Sequence, residues 1–301
     1  MGHSHKSHSH HHTHHANRQA LLVSFILIFF FMVIEVLGGI MTNSLALLSD
    51  AGHMLSDTAA LGLSLFAIKF GERPATASKT YGYRRFEILA AFLNGITLLA
   101  ISLYIFWEAY QRFFNPPEVA SVGMIVIAFI GLLVNLAAAW VLMKGDTSEN
   151  LNMRSAFLHV IGDILGSVGA IVAGLLIIFL NLNIADAIAS VIVAVLVLVS
   201  GWRVIKDSVH ILMEGKPKHI DIEALKKGLL SFPEVKEIHD LHIWLITSDF
   251  PSLSCHVVVD EPCDRDRMIN QISEYLEKEF KLEHVTLQIE GEQHSHHKRC
   301  N

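Results

Sequence analysis

The chain is poor in cysteine and in charge. Three Cys occur in 301 residues, Cys255, Cys263 and Cys300, all in the last fifty positions and without zinc-knuckle spacing. That usage excludes a disulfide framework. Charged residues make up only 17% and crowd into a few short stretches, so long segments carry none. A buried soluble helix rarely runs that far without charge, which argues against a globular helical bundle. The formal net charge of −6 is mild and points to no nucleic-acid partner. The N-terminus opens on a polar, His-rich tract and lacks a small-residue cleavage site after a short apolar region, so no cleavable signal peptide is expected. No His-Glu-x-x-His occurs, and the chain is expected not to be an enzyme.

What is abundant is apolar sequence and histidine, at 52% and 19 residues. Six apolar runs are long enough to cross a hydrocarbon core of about 30 Å. They cover about Leu21 to Met41, Leu45 to Phe70, Phe86 to Phe106, Val119 to Met143, Met153 to Leu180 and Ile184 to Val204. The link between the second and third runs holds Lys69, Arg73, Lys79, Arg84 and Arg85. Lys144 and Arg154 lie on the same side, and Arg203 and Lys206 follow the sixth run, whereas Arg112 is the sole basic residue of the other face. The positive-inside rule then predicts a multi-pass protein of the cell (plasma) membrane with both termini cytoplasmic.

From about Ile211 the pattern changes to alternating helical and β-rich segments. His219 to Phe232 and Arg265 to Phe280 read as helices, and Val235 to Ile246, Ser252 to Val259 and His284 to Ile289 as strands. The order αββαβ predicts a small α+β domain with helices on one face of a sheet. The expected organisation is a disordered His-rich tail over 1–16, a six-helix membrane domain over 17–210, the α+β domain over 211–291 and a His/Cys-containing tail over 292–301.

Ionisable residues inside a span are costly and normally face an internal pathway. The second span contains Asp50, His53 and Asp57, and the fifth contains His159 and Asp163. The pattern His-x-x-x-Asp therefore appears twice, and an i,i+4 spacing puts both side chains on one helix face. Two such faces opposed supply two imidazoles and two carboxylates, a complete tetrahedral shell for Zn²⁺. The two carboxylates also balance the charge of one divalent cation. A local His–Asp hydrogen bond within each helix is the competing reading. Asp50 is either a partner of this set or a proton acceptor of an accessory pathway, or else a first-turn residue of its helix. Glu35 in the first span and Asn135 in the fourth belong either to an accessory or proton pathway or to interhelical packing. Asp186 falls in the first turn of the sixth helix, where the dipole favours it. Gly38, Gly39, Gly162, Gly166, Gly169 and Gly174 read as points of close helix approach.

Outside the spans, His3, His5, His8, His10, His11, His12, His14 and His15 form a tract expected to buffer metal loosely, echoed by His294, His296, His297 and Cys300. The C-terminal domain holds His239, His242, His256 and His284, with Asp240 and Glu290. His239 and His256 fall on or beside adjacent predicted strands and can meet across the sheet, either as a second metal site or as plain surface histidines.

The stretch Asn43-Ser44-Leu45-Ala46-Leu47-Leu48-Ser49-Asp50-Ala51-Gly52-His53-Met54-Leu55-Ser56-Asp57 resembles the cation diffusion facilitator family. Ala156-Phe157-Leu158-His159-Val160-Ile161-Gly162-Asp163 and His239-Asp240-Leu241-His242-Ile243-Trp244 are similar to two further motifs of that family. The resemblance covers nearly the whole chain. It implies a homodimer of six-helix protomers, each with a ferredoxin-like cytoplasmic domain that binds metal. It implies a transport site at His53, Asp57, His159 and Asp163 of the zinc type, since members with Asp in place of the second-span His accept more metals. In the cytoplasmic domain it implies ligands at His239, His256 and Glu290. The link from Phe70 to Arg85 has neither His nor Asp, so the further site that some members carry there is not expected. Gln288 departs from the pattern near the last strand and leaves a binuclear cytoplasmic site unsupported.

The expected activity is export of divalent cations (Zn²⁺, with Cd²⁺ and Co²⁺) by cation/proton antiport, giving heavy-metal resistance. H⁺ is the expected counter-ion, with K⁺ as an alternative or addition, and membrane lipid and a second copy of the chain are the expected partners. A metal-sensing receptor that moves no metal is the rival reading.

Overall fold

The computed structural model describes residues 11–71, 75–143, 151–248 and 250–291, without the side chains of 11–24, 57, 60, 61, 63–71, 138–143 and 151–162. Six long helices come first: α1 (His11–Thr42), α2 (Leu45–Gly71), α3 (Phe86–Phe114), α4 (Ser121–Met143), α5 (Leu151–Leu180) and α6 (Ile184–Leu212). A second set follows as α7 (Ile222–Leu229), β1 (Val235–Thr247), β2 (Phe250–Val259), α8 (Arg265–Phe280) and β3 (His284–Gly291). The chain divides into two compact units, one of 1–72 with 90–205 and one of 73–89 with 206–301.

The first unit is helical because its sequence is apolar throughout and has few breakers inside each run. Even α4, with 23 residues, spans about 35 Å at 1.5 Å per residue. Among the described residues, Phe25–Thr42, Phe86–Phe114, Asp163–Leu180 and Ile184–Leu212 are long and apolar enough to cross a membrane, and Ser121–Ala137 is a shorter apolar stretch. Asn residues in the left-handed region end two of the helices: Asn43 (φ 56°) turns α1 into α2, and Asn181 (φ 56°) turns α5 toward α6. α1 packs on α2 and α4, and α5 packs on α2 and α4, closing a four-helix ring. Its interior combines small and flexible side chains, among them Ala128, Ala170 and Ala173 with Met124, and an aromatic ring, Phe31, packed with Met54. α3 meets α6 through Leu98, Val193 and Val197. Large apolar side chains such as Phe30, Leu103, Trp107 and Trp202 remain exposed, as a lipid-facing surface requires.

Three helix boundaries differ from the hydropathy reading by more than two residues. α3 continues from Phe106 to Phe114 and α6 from Val204 to Leu212, through charged residues at which an apolar run ends but a helix does not. In α3 the i,i+4 pair Glu108–Arg112, 2.9 Å apart, supports the extension, and Pro116 lies just beyond the end. α1 begins at His11, so 11–16 are helical and not part of a disordered tail as expected; 1–10 lie outside the described residues. Of the glycines read as close-approach points, Gly38 faces Ile127 and Gly174 faces Ile125, whereas Gly169 faces open space.

The second unit keeps the predicted order αββαβ. Asp221 caps α7 by accepting from the backbone N–H of Glu223 and Ala224, and Asp264 caps α8 by accepting from that of Arg267. β2 is the central strand, antiparallel to β1 and parallel to β3. One face of β2 (Leu253, Cys255, Val257 and Val259) joins a core with Leu225 and Leu229 of α7 and Met268, Ile272 and Leu276 of α8. The period of two then leaves Ser252, Ser254 and His256 on the face away from the helices. Ile272 is wholly buried at the centre of this core. Ile272→Ala is expected to destabilise the second unit by ~2–5 kcal/mol, read as a lowered urea midpoint by tryptophan fluorescence of Trp244.

Candidate metal sites

In α2, Asp50 and His53 lie about one turn apart, and the ring packing sets α2 against α5. His53 Nε2 reaches Asp163 Oδ1 of α5 at 3.3 Å. This contact joins one member of each His-x-x-x-Asp pair across the helix interface. It is therefore an interhelical contact, distinct from the local hydrogen bond within each helix. A tetrahedral zinc with bonds of about 2.0–2.1 Å separates neighbouring ligand atoms by about 3.4 Å, so the observed spacing suits two adjacent corners of such a shell. Asp57 and His159 occupy α2 and α5, but their side chains lie outside the described residues.

Further carboxylates surround this contact. Asp50 is buried, and its carboxylate lies over Gly166 of α5, where an added Cβ would come within 2.5 Å of Oδ1. Gly166 is thus the gap that admits the carboxylate, and Asp50 belongs to the site's surroundings although it sits near the start of α2. Glu35 of α1 is 0% exposed and within electrostatic reach of Asp50 and of Asp163. Asn135 is buried on α4, and Ser167 on α5 next to Gly166. Three acidic side chains in an apolar bundle are a large electrostatic cost that cations or protons must offset.

The second cluster lies on the sheet. His239 of β1 stands opposite His256 of β2, with ring centroids 4.9 Å apart. Glu290 of β3 lies between the two rings, its Oε2 3.3 Å from His239 Nε2 and its Oε1 2.9 Å from His256 Nδ1. The ligand atoms of all three residues fall within 4.8 Å of one another. A β-bulge creates this arrangement. Between His239 and His242, β1 has one residue more than β2, and Asp240 takes φ 47°. The extra residue reverses the strand's parity, so His239 pairs with His256 on the face away from the helices while Ile243 pairs with Leu253 on the core face. His242 is exposed opposite Ser254, and His284 is exposed against Tyr81 and Phe250; neither joins the cluster.

The donor set fits a metal. The Nδ1 atoms of His239 and His256 are buried and make no hydrogen bond, even though His256 Nδ1 is close to the carboxylate. Gln288 donates from Nε2 to Glu290 Oε1 at 2.7 Å and fixes the carboxylate's orientation. The sequence offered Gln288 only as a departure from a pattern; its i,i+2 placement beside Glu290 is the signal for this supporting role. Burial alone would raise the Glu290 carboxyl, but hydrogen bonds from Gln288 and His239 and the charges of His256 and His239 outweigh it and hold it below its ordinary value. Burial, with Asp240 second, pushes the neighbouring Cys255 thiol up to about 12, so it stays protonated and is a poor metal ligand. His294, His296, His297 and Cys300 lie outside the described residues.

Because the folded value of Glu290 is depressed, its ionisation stabilises the fold above the ordinary value of 4.5, and this is lost as pH falls through the lowered value. In chelator-treated protein, the urea midpoint is expected to fall more steeply below about pH 4.5 in wild type than in Glu290→Gln.

Residues 21–213 match the cation efflux transmembrane domain family and residues 217–292 the cation efflux protein cytoplasmic domain family. A cadmium, cobalt and zinc/H⁺-K⁺ antiporter of Bacillus subtilis is 53% identical over 300 residues, covering 98% of this chain and 94% of the relative. The zinc transporter ZitB of Escherichia coli is 45% identical over 291 residues, covering 96% and 93%. The metal cation efflux system protein CzcD of Cupriavidus metallidurans is 42% identical over 291 residues, covering 96% and 90%. With both of its units matched and relatives aligned along nearly its whole length, the chain belongs to the cation efflux (cation diffusion facilitator) family.

Proposed function

We propose that the chain exports Zn²⁺, and with it Cd²⁺ and Co²⁺, from the cytoplasm in exchange for H⁺, with K⁺ as an alternative or additional counter-ion. Its family is described by cation efflux, CzcD is named a metal cation efflux system protein, and the Bacillus subtilis relative is named a cadmium, cobalt and zinc/H⁺-K⁺ antiporter. The observation that supports a site for it is the 3.3 Å contact of His53 with Asp163 between α2 and α5. Successive spans alternate in direction, so Asp57, one turn further along α2, and His159, one turn earlier on α5, fall on the same side of that contact. The four residues then form the cargo's ligand set: two neutral imidazoles and two carboxylates for one divalent ion. Both termini and the second unit lie in the cytoplasm, in keeping with the basic residues between α2 and α3.

Transport follows by alternating access. Metal from the cytoplasm displaces protons from His53, His159 and the carboxylates, and protons arriving from outside displace the metal in turn. Asp50 and Glu35 are placed to hold protons beside the site, with Asn135 as a further polar group of the pathway. In the cytoplasmic domain, His239, His256 and Glu290 would hold a resident metal, which would supply a cross-link between their strands. The His tract near the N-terminus binds metal loosely and concentrates it at the cytoplasmic surface, and two copies of the chain pair through their cytoplasmic domains.

In inside-out vesicles with an imposed pH gradient, ⁶⁵Zn²⁺ uptake is expected in wild type and a fall of at least about 100-fold in Asp163→Ala, since a shell short of one carboxylate holds a residual charge. Equal uptake by both would sink the four-residue site, and zinc binding without uptake by either would favour a receptor. His256→Ala is expected to lower zinc retained after dialysis by about one equivalent per chain, measured by atomic absorption, as the removal of one ligand from a three-residue site implies.

A further inference from the structure

Arg112 is the one basic residue that the sequence places on the non-cytoplasmic face, and its side chain is nearly buried. Its guanidinium donates to Asn43 O at 2.7 Å, to Asn43 Oδ1 at 3.1 Å and to Glu108 Oε1 at 2.9 Å, and Nη1 lies 3.5 Å from Asp186 Oδ2. Asp186 of α6 is 1% exposed and is engaged on the far side by α2. Its Oδ1 accepts from Ser44 Oγ at 2.6 Å and from the Ala46 N–H at 3.1 Å, and its Oδ2 accepts from the Leu45 N–H at 2.7 Å. Ser44, whose Oγ accepts from the Leu47 N–H, is α2's own cap and satisfies one of its four orphan donors. A carboxylate from another helix supplies the next two. A second join lies one turn on, where Ser49 Oγ donates to Ser190 O and Ser190 Oγ donates to Asp186 O.

We propose that Asp186, backed by Arg112, is a positioning residue of the transport site: it caps α2 from α6 and thereby fixes the height of His53 opposite Asp163. The inference rests on reading His53 and Asp163 as ligands of the cargo. Leu45 and His53 are eight residues apart on one helix, about 12 Å along its axis, with no Pro between them. A helix that short is stiff, so a displacement of its first turn reaches His53 undiminished. A slip of about 1 Å spoils a ligand pair whose donor atoms must hold bond lengths to a few tenths of an ångström. The alternative is a cap that contributes only to folding, and the two roles separate in kinetics. Losing a folding contact reduces the amount of competent protein, whereas a misplaced ligand weakens cargo binding in every molecule.

The test uses the full chain in vesicles and in detergent, with His239→Ala/His256→Ala together with His→Ala changes through both terminal His tracts as the common background, so that the transmembrane site is read alone. Asp186→Asn replaces an acceptor by a donor facing N–H groups. It is expected to raise the KM for ⁶⁵Zn²⁺ uptake about tenfold, with turnover per folded chain unchanged, and to weaken equilibrium zinc affinity by a similar factor against a fluorescent chelator. Arg112→Gln leaves the three α2 donors on Asp186 and is expected to shift both quantities the same way but less. Should Asp186→Asn fail to reach the membrane, Ser44→Ala is read on the same two scales. An unchanged KM with less folded protein would make the cap structural only, and a fall in turnover at constant KM would place it in the conformational step; either overturns the proposal. Asp163→Ala in the same background keeps the two readings apart. If it retains zinc affinity, the ligand assignment fails; if it loses affinity while Asp186→Asn does not, the positioning role alone fails.

Discussion

The constraint on which the membrane unit depends is the cost of carrying carboxylates inside an apolar bundle. Glu35, Asp50 and Asp163 are all buried among α1, α2 and α5, where ionised groups lack the water that would stabilise them. Each must meet a proton, an imidazole or a metal, and each alternative occupies the same lone pairs. On the proposed reading of the site, competition between metal and protons follows from its composition and needs no separate coupling device. The small residues follow from the same constraint. Gly166 leaves the space into which the Asp50 carboxylate fits, so α2 and α5 can approach while keeping an acidic side chain between them.

The cytoplasmic unit handles its charged residues by a different route. Its core is conventional, with Leu225, Ile272 and Leu276 packed on one face of the sheet. Its polar cluster lies on the other face, reached by the reversal of parity at Asp240. Glu290 is 4% exposed there, yet its carboxyl titrates below its ordinary value because hydrogen bonds and imidazole charges outweigh burial. The strands hold the three residues at fixed spacing by backbone pairing, which is stiffer than helix packing through small side chains. On the proposed reading, the sheet suits a resident metal and the helices suit a site that loads and unloads.

How much of this was legible depends on the range of the interaction involved. Six helices could be read because hydrophobic length is a local property, and α8 was read at its observed bounds because its amphipathic period is local too. The repeated His-x-x-x-Asp pattern indicated a common face on α2 and on α5, and His53 with Asp163 is where those faces meet. The helix ends beyond Phe106 and Val204 were misplaced because charge stops an apolar run without stopping a helix. The bulge at Asp240 was hidden, since an extra residue in β1 has meaning only against its partner β2. Asp186 was placed in the first turn of α6, which is where it lies, but its partners are on α2, some 140 positions away. No periodicity in the sequence connects them.

Asp163 and Asp186 show why burial alone does not identify a ligand. Both are aspartates on spanning helices, and Asp186 is the more deeply buried. What separates them is the kind of partner each carboxylate meets. Asp186 accepts from two backbone N–H groups and a serine hydroxyl and lies beside a guanidinium. A cation approaching it would meet donors on nearly every lone-pair direction and the positive charge of Arg112 behind them. Asp163 instead meets the imidazole of His53, a side chain that can bind either a proton or a metal. Two of the donors around Asp186 are backbone N–H groups that cannot leave, and with Ser44 Oγ and Arg112 they leave that carboxylate suited to holding α2 in place. A carboxylate opposite an imidazole has an exchangeable partner, and exchange is what a carrier requires.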